Sequence, residues 1–144
     1  MIPVVPIERM LPHAGAMVFI DEIVYADPMR IECRTRVHVR PGFPLSVDGR
    51  VPSLCGVEIA AQAMALHAAL QEPAAQANPR EGRLASVSDV EILHDRLDDR
   101  PDALRVEASL EHAGARGSAY RFSVAAGSEV LIRGRALVVR AEVA

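Results

Sequence analysis

The sequence predicts an α+β fold in which an antiparallel sheet is wrapped around one long central helix. Three observations predict it. From Met29 to Arg40, apolar and polar residues alternate. From Leu54 to Leu70 the only strongly polar side chains are Glu58, Gln62 and His67. Several further alternating segments follow that apolar run, so strands and helix are segregated along the chain rather than interleaved, the order expected of an antiparallel α+β domain. At 144 residues the chain, 1–144, makes one domain that can bury a core.

Each element has its own warrant. Met17-Val18-Phe19-Ile20 and the following Asp21-Glu22-Ile23-Val24 read as a first strand. In the second, Met29, Ile31, Cys33, Thr35, Val37 and Val39 fall on one face and leave His38 and the arginines on the wet one, because side chains in a strand repeat every two residues. Pro41-Gly42 stops it, and turn residues run from Phe43 to Val51. Pro52-Ser53 suits a helix start, with Ser53 as N-cap. The run behind it is too long for a strand and apolar all round, so it must be covered on more than one side; its six alanines allow close packing. Gln71 to Gly82 is a polar connection. Strands follow at Leu84 to Leu93, around Leu104 to Glu111, around Tyr120 to Val124, and from Val130 to Val143.

Composition narrows the function classes. Half of the residues are hydrophobic, which argues against disorder. All cations are arginine and the net charge is -3, a poor match for nucleic acid, which calls for a basic face. No segment approaches the roughly 20 consecutive apolar residues of a membrane span. Met1 to Arg9 lacks the basic and long apolar parts of a secretory signal, so a cytoplasmic protein is the default expectation. Cys33 and Cys55 form no CxxC pair and read as small hydrophobes. The five histidines show no metal-ligand spacing. Neither a metal nor a cofactor is expected.

Glu58 carries the most chemical information. It stands among Gly56, Val57, Ile59, Ala60 and Ala61, where an unpaired carboxylate is costly unless it finds a donor or takes a proton. A solvated first-turn Glu favoured by the helix dipole is the competing reading. Gln62, one turn later, is close enough to share a site. Glu58 is therefore expected to line a pocket, with Gln62 in reach of the same ligand.

Leu11-Pro12-His13 with the Met17–Val24 run, and then Glu58-Ile59-Ala60-Ala61-Gln62, resemble the two motifs of the 3-hydroxyacyl-acyl-carrier-protein dehydratases, which have the hotdog fold. The motifs occur in the family's order, and the resemblance extends over nearly the whole chain. It implies Glu58 as the catalytic residue, Gln62 as a substrate-binding residue, and an acyl-ACP or acyl-CoA thioester as substrate. It also implies a site at a dimer interface, where the helix Glu of one subunit meets a loop His of the other. The partner would be a second copy or a second hotdog subunit.

The resemblance breaks at that loop His. The family's position falls on Pro44, in Gly42-Phe43-Pro44-Leu45-Ser46, and no histidine lies between His38 and Glu58. His38 reads as a solvent-facing strand residue and His67 as a hydrogen-bonded core or interface group, since nine positions at 100° each carry it to the helix face opposite Glu58. His13 reads as structural, His94 and His112 as exposed. The sequence is thus similar to a divergent branch that includes partner subunits of dehydratases in aryl-polyene-type pathways. A hotdog thioesterase using Glu58 alone, and a non-catalytic acyl-binding or assembly subunit, remain open.

Overall fold

A computed structural model describes residues 6–11, 14–71 and 82–140. His13 and nearly all of the Gln71–Gly82 connection lie outside them. After a short helix α1 (Ile7–Met10), β1 (Glu22–Asp27) and β2 (Arg30–Thr35) form a hairpin. A loop then leads to the central helix α2 (Gly56–Gln71), and β3 (Gly82–Ile92), β4 (Leu104–Ala113), β5 (Gly117–Ala126) and β6 (Glu129–Arg140) complete the chain. The strands make one antiparallel sheet in the order β1-β2-β4-β5-β6-β3. The chain has the hotdog fold: the sheet's apolar face, with Val106, Val124 and Ile132 fully buried, closes on α2.

The second strand is shorter than its alternation suggests. Pairing stops at Thr35, and Val37–Val39 is a turn of 3₁₀ helix. The cause is local. The N–H of Arg36 donates to the Asp21 carboxylate at 2.6 Å and that of Val37 to Thr35 Oγ1 at 3.1 Å, so side chains take donors that a ladder would need. His38, expected to face solvent, is instead only 3 % exposed. Met17–Ile20 also departs from expectation: Gly15–Met17 is a 3₁₀ turn and the first strand begins at Glu22.

At the helix start a 3₁₀ turn, Ser53–Cys55, precedes α2. Ser53 does not cap the helix with its side chain; its N–H donates to the Asp95 carbonyl at 3.0 Å and its hydroxyl is buried. By length and hydropathy alone, Ser53–Gln71 could cross a bilayer, contrary to the run-length argument. Two thirds of it is buried within the protein, as in a core helix. His67 is the hydrogen-bonded core residue expected: its ring nitrogens meet Tyr120 Oη at 2.7 Å and the Asp27 carbonyl at 2.8 Å.

Gly56 lets α2 approach the sheet. A Cβ there would stand 2.7 Å from Ile132 Cγ2 and 3.2 Å from Val124 Cγ2. Alanine gains about 1 kcal/mol in helix propensity, but overpacking a closed core costs about 1–3 kcal/mol. Gly56→Ala is therefore expected to be destabilising by up to about 2 kcal/mol in urea unfolding; a more stable variant would show that the core yields freely at this point.

Candidate active site

The covered and uncovered faces of α2 divide the candidate residues. Leu54, Glu58, Ala61, Ala65 and Ala68 recur at helical spacing and are exposed or half-buried, while the rest of the helix to Leu70 is almost wholly buried. Glu58 thus lies on the one side of the helix that this chain's sheet does not cover. The expectation that it lines an apolar pocket is not met among the described residues of a single chain, where Glu58 is exposed. No ion pair or hydrogen bond engages its carboxylate among the described residues.

Gln62 is placed differently. Four residues further on, the helix has turned about 40° beyond a full circle, enough to bring its side chain beneath the segment before β1. It is 3 % exposed. Its Oε1 accepts the Phe19 N–H at 2.7 Å, and its Nε2 donates to the Met17 carbonyl at 2.6 Å. The amide expected to meet a ligand beside Glu58 is instead bonded at both ends to backbone. These bonds also explain why Met17–Phe19 pairs with no strand.

The loop between β2 and α2 comes back to the Glu58 turn. Phe43 is buried and packs edge-on against Phe19, with ring centroids 5.1 Å apart. The Phe19 carbonyl accepts the Thr35 hydroxyl at 2.5 Å. Two residues beyond Phe43, the Leu45 carbonyl accepts the Cys55 thiol at 3.5 Å, three residues before Glu58. Burial pushes the Cys55 thiol pKa up, and the Glu58 carboxylate adds to the effect. Pro44, where the resembled family has its histidine, is exposed on this loop. Sequence reasoning gives Phe19, Thr35 and Phe43 no role in the site; with only three phenylalanines in the chain, two of them flanking the β1–β2 hairpin are the available signal.

The other histidines stand apart from this face. His38 Nε2–H donates to the Arg100 carbonyl at 2.7 Å, which assigns the proton of the neutral ring to Nε2; Nδ1 is buried, with no partner within hydrogen-bonding geometry among the described residues. His94, expected to be exposed, is half-buried and paired with the Asp99 carboxylate at 2.6 Å. His112 is exposed. Cys33 is wholly buried, and desolvation pushes its thiol to about 12. On the opposite side of the sheet a groove of about 500 Å³ is lined by Glu107, Ser109, Arg121, Arg133 and Arg135 among others. Its arginines are engaged in exposed ion pairs, Arg133 with Glu91 at 3.2 Å and Arg135 with Glu111 at 3.2 Å, and it does not include Glu58. Among the described residues no cluster of His, Cys, Asp and Glu could hold a metal ion.

Residues 5–144 match the family model ApeP-like, described as ApeP dehydratase. No curated protein matches the sequence. Among solved structures, the chain is similar to one in the dehydratase heterocomplex ApeI:P from Xenorhabdus doucetiae, with a TM-score of 0.84 and 19% identity over 97% of this chain and 93% of that one. It is also similar to the conserved protein PA5202 from Pseudomonas aeruginosa (TM-score 0.63, 16% identity, 93% and 98% of the two chains). The E. coli PaaI protein of the phenylacetic acid degradation operon is more distant (TM-score 0.58, 13% identity, 83% and 82%). Identities this low show a shared fold.

The buried His38 makes stability depend on pH. Desolvation lowers its pKa below 6.5, outweighing the Arg100 and Asp102 backbone and the Asp98 carboxylate, which act the other way; the Arg36 charge adds to the lowering. The unfolded chain then binds more protons than the native one, so this contribution is present above about pH 6.5 and is lost as pH falls through that value toward the lower native one. Unfolding free energies measured from pH 8 to 5 are expected to fall across that window, and His38→Gln to flatten the fall. Identical slopes for the two proteins would contradict the assignment.

Proposed function

The chain belongs to the ApeP-like dehydratase family, and from that premise we propose that it is one subunit of a dehydratase acting on 3-hydroxyacyl thioesters, with Glu58 as its acid–base residue and a second hotdog subunit completing the site. The single observation that carries this reading is the position of Glu58 on the side of α2 that the described residues leave open, the rest of the helix being enclosed by its own sheet. A carboxylate there is available to a ligand only once something else forms the opposite wall.

Dehydration needs two proton transfers. One group takes the C2 proton, the C–H electron pair becomes the C2=C3 bond, and the C3 hydroxyl leaves as water with a proton from the other group. General acid–base work of this kind depends on two positioned groups. This chain offers Glu58 and has Pro44 in place of the loop histidine, so the second group comes from the partner.

Two features support a partner at this side. β3 is an edge strand among the described residues, and Ile92 and Leu93 at its end are 52 % and 51 % exposed, large apolar groups left uncovered at an edge. The open side of α2 presents three alanines, small enough for another helix to approach, in line with Leu54 in the 3₁₀ turn before it. A partner pairing along β3 would extend the sheet, cover these residues and enclose Glu58. The heterocomplex in which the similar Xenorhabdus doucetiae chain was solved supports a second subunit as the partner. An acyl-carrier protein is the expected donor of the thioester, coenzyme A the alternative.

The test follows α,β-unsaturated thioester formation by this chain alone, by a hotdog dehydratase that has its loop histidine, and by the co-expressed pair. The chain alone is expected to be slow and the pair to gain activity over either component. Glu58→Ala is expected to lower the gained activity by about 10²–10⁴-fold. Full-rate dehydration by the isolated chain, or a pair indifferent to Glu58→Ala, would overturn the proposal.

A further inference from the structure

We propose that Gln62 is a positioning residue: through Phe19 and Phe43 it fixes the loop Pro41–Ser46 as a rigid wall beside the helix turn that carries Glu58. The inference rests on the reading of Glu58 given above and adds a residue that acts on that site without touching substrate.

The link is a chain of contacts that leaves α2 at Gln62 and comes back at Cys55, in the 3₁₀ turn that leads into α2. It starts at the Gln62 amide, bonded to Met17 and Phe19 at 2.6 and 2.7 Å. Phe19 is then held from its other side by the Thr35 hydroxyl at 2.5 Å. Its ring meets the Phe43 ring edge-on. The Phe43 carbonyl accepts both the N–H and the hydroxyl of Ser46, at 3.0 and 2.7 Å, which shapes the turn around Pro44 and Leu45. The Leu45 carbonyl lies on the Cys55 thiol, and Cys55 is three residues from Glu58.

Each link is specific to the group present. Gln62 can accept and donate at once; a carboxylate can only accept, and an apolar side chain can do neither. At 3 % exposure no water replaces the lost bonds cheaply. Phe19 and Phe43 transmit position because edge-to-face rings pack in a defined geometry. A loop so held needs no histidine of its own to matter. It sets the distance between Glu58 and whatever the partner places across from it, and errors near 1 Å in such placement cost about 10²-fold in rate.

Cys55 supplies a readout independent of any substrate. It is half-buried against the loop, while Cys33 is fully buried in the sheet and serves as an internal control. In Gln62→Met, an aromatic disulfide reagent is expected to label Cys55 several times faster than in the wild-type chain while Cys33 stays protected. The reconstituted pair is expected to lose kcat by about 10²-fold with a smaller change in KM. Phe43→Leu keeps the Gln62 bonds but removes the ring contact, and is expected to loosen Cys55 in the same way. Should Gln62→Met unfold, with both cysteines labelled together, Phe43→Leu carries the test. Unchanged Cys55 labelling in either folded variant, or faster labelling with unchanged kcat, would overturn the proposal. A pair whose rate ignores Glu58→Ala would instead sink the functional reading and leave the Cys55 result standing as evidence of a mechanical link alone.

Discussion

The constraint on which this structure depends is the burial of a helix that is apolar around nearly its whole circumference. A polar back would let α2 lie on one side of a sheet and face water on the other. Here Ile59, Met64 and Leu66 are fully buried together with Ala60 and Ala63, and each large side chain so buried contributes about 1.5–3 kcal/mol. The sheet has to curl to reach them, and β2, β4, β5 and β6 all lie against the helix as a result. One sheet of six strands still leaves a stripe open. That stripe begins at Leu54 and contains Glu58, so the geometry that stabilises the subunit also decides where its carboxylate can act.

The loops are secured by polar groups that the apolar helix carries at a few positions. Gln62 and His67 both face inward, and both bond to backbone of distant segments: Met17 and Phe19 for the first, Asp27 for the second. Buried polar groups are costly unless satisfied, so these two tolerate few alternative packings of the N-terminal segment and the β1–β2 hairpin. Specificity of this kind matters most near Glu58, where the closest loop has no regular secondary structure of its own. Its order comes from Phe43 in the core and from Ser46 closing the turn.

Much of the fold was legible in the sequence because its signals are periodic. The alternation around Leu104 to Glu111 and the unbroken apolar run after Pro52 correspond to β4 and α2. The errors arose where side chains compete with the ladder for backbone donors. Thr35 and Asp21 end β2 early and turn His38 inward, and nothing in a period of two announces that. For the site, Glu58 was identifiable as a polar residue in apolar surroundings, but its exposure was not, because that depends on which side of α2 the sheet leaves uncovered. Gln62 is grouped with Glu58 by spacing and by the motif the two share. Four residues bring two side chains near each other, yet at the boundary of a buried face the remaining 40° or so separates an open group from an enclosed one.

The central claim is that the open side of α2 and the outer edge of β3 form half of a site that a second hotdog subunit completes. Amide hydrogen exchange along the chain, measured with and without such a partner, tests it most directly. The edge amides of β3 have no neighbouring strand among the described residues of the subunit and are expected to exchange readily there. With the partner present, the account predicts strong new protection in β3, while β1 at the far edge keeps its own rate. Protection that appears at β1, or no change in β3 when the two proteins are mixed at saturating concentration, would contradict it.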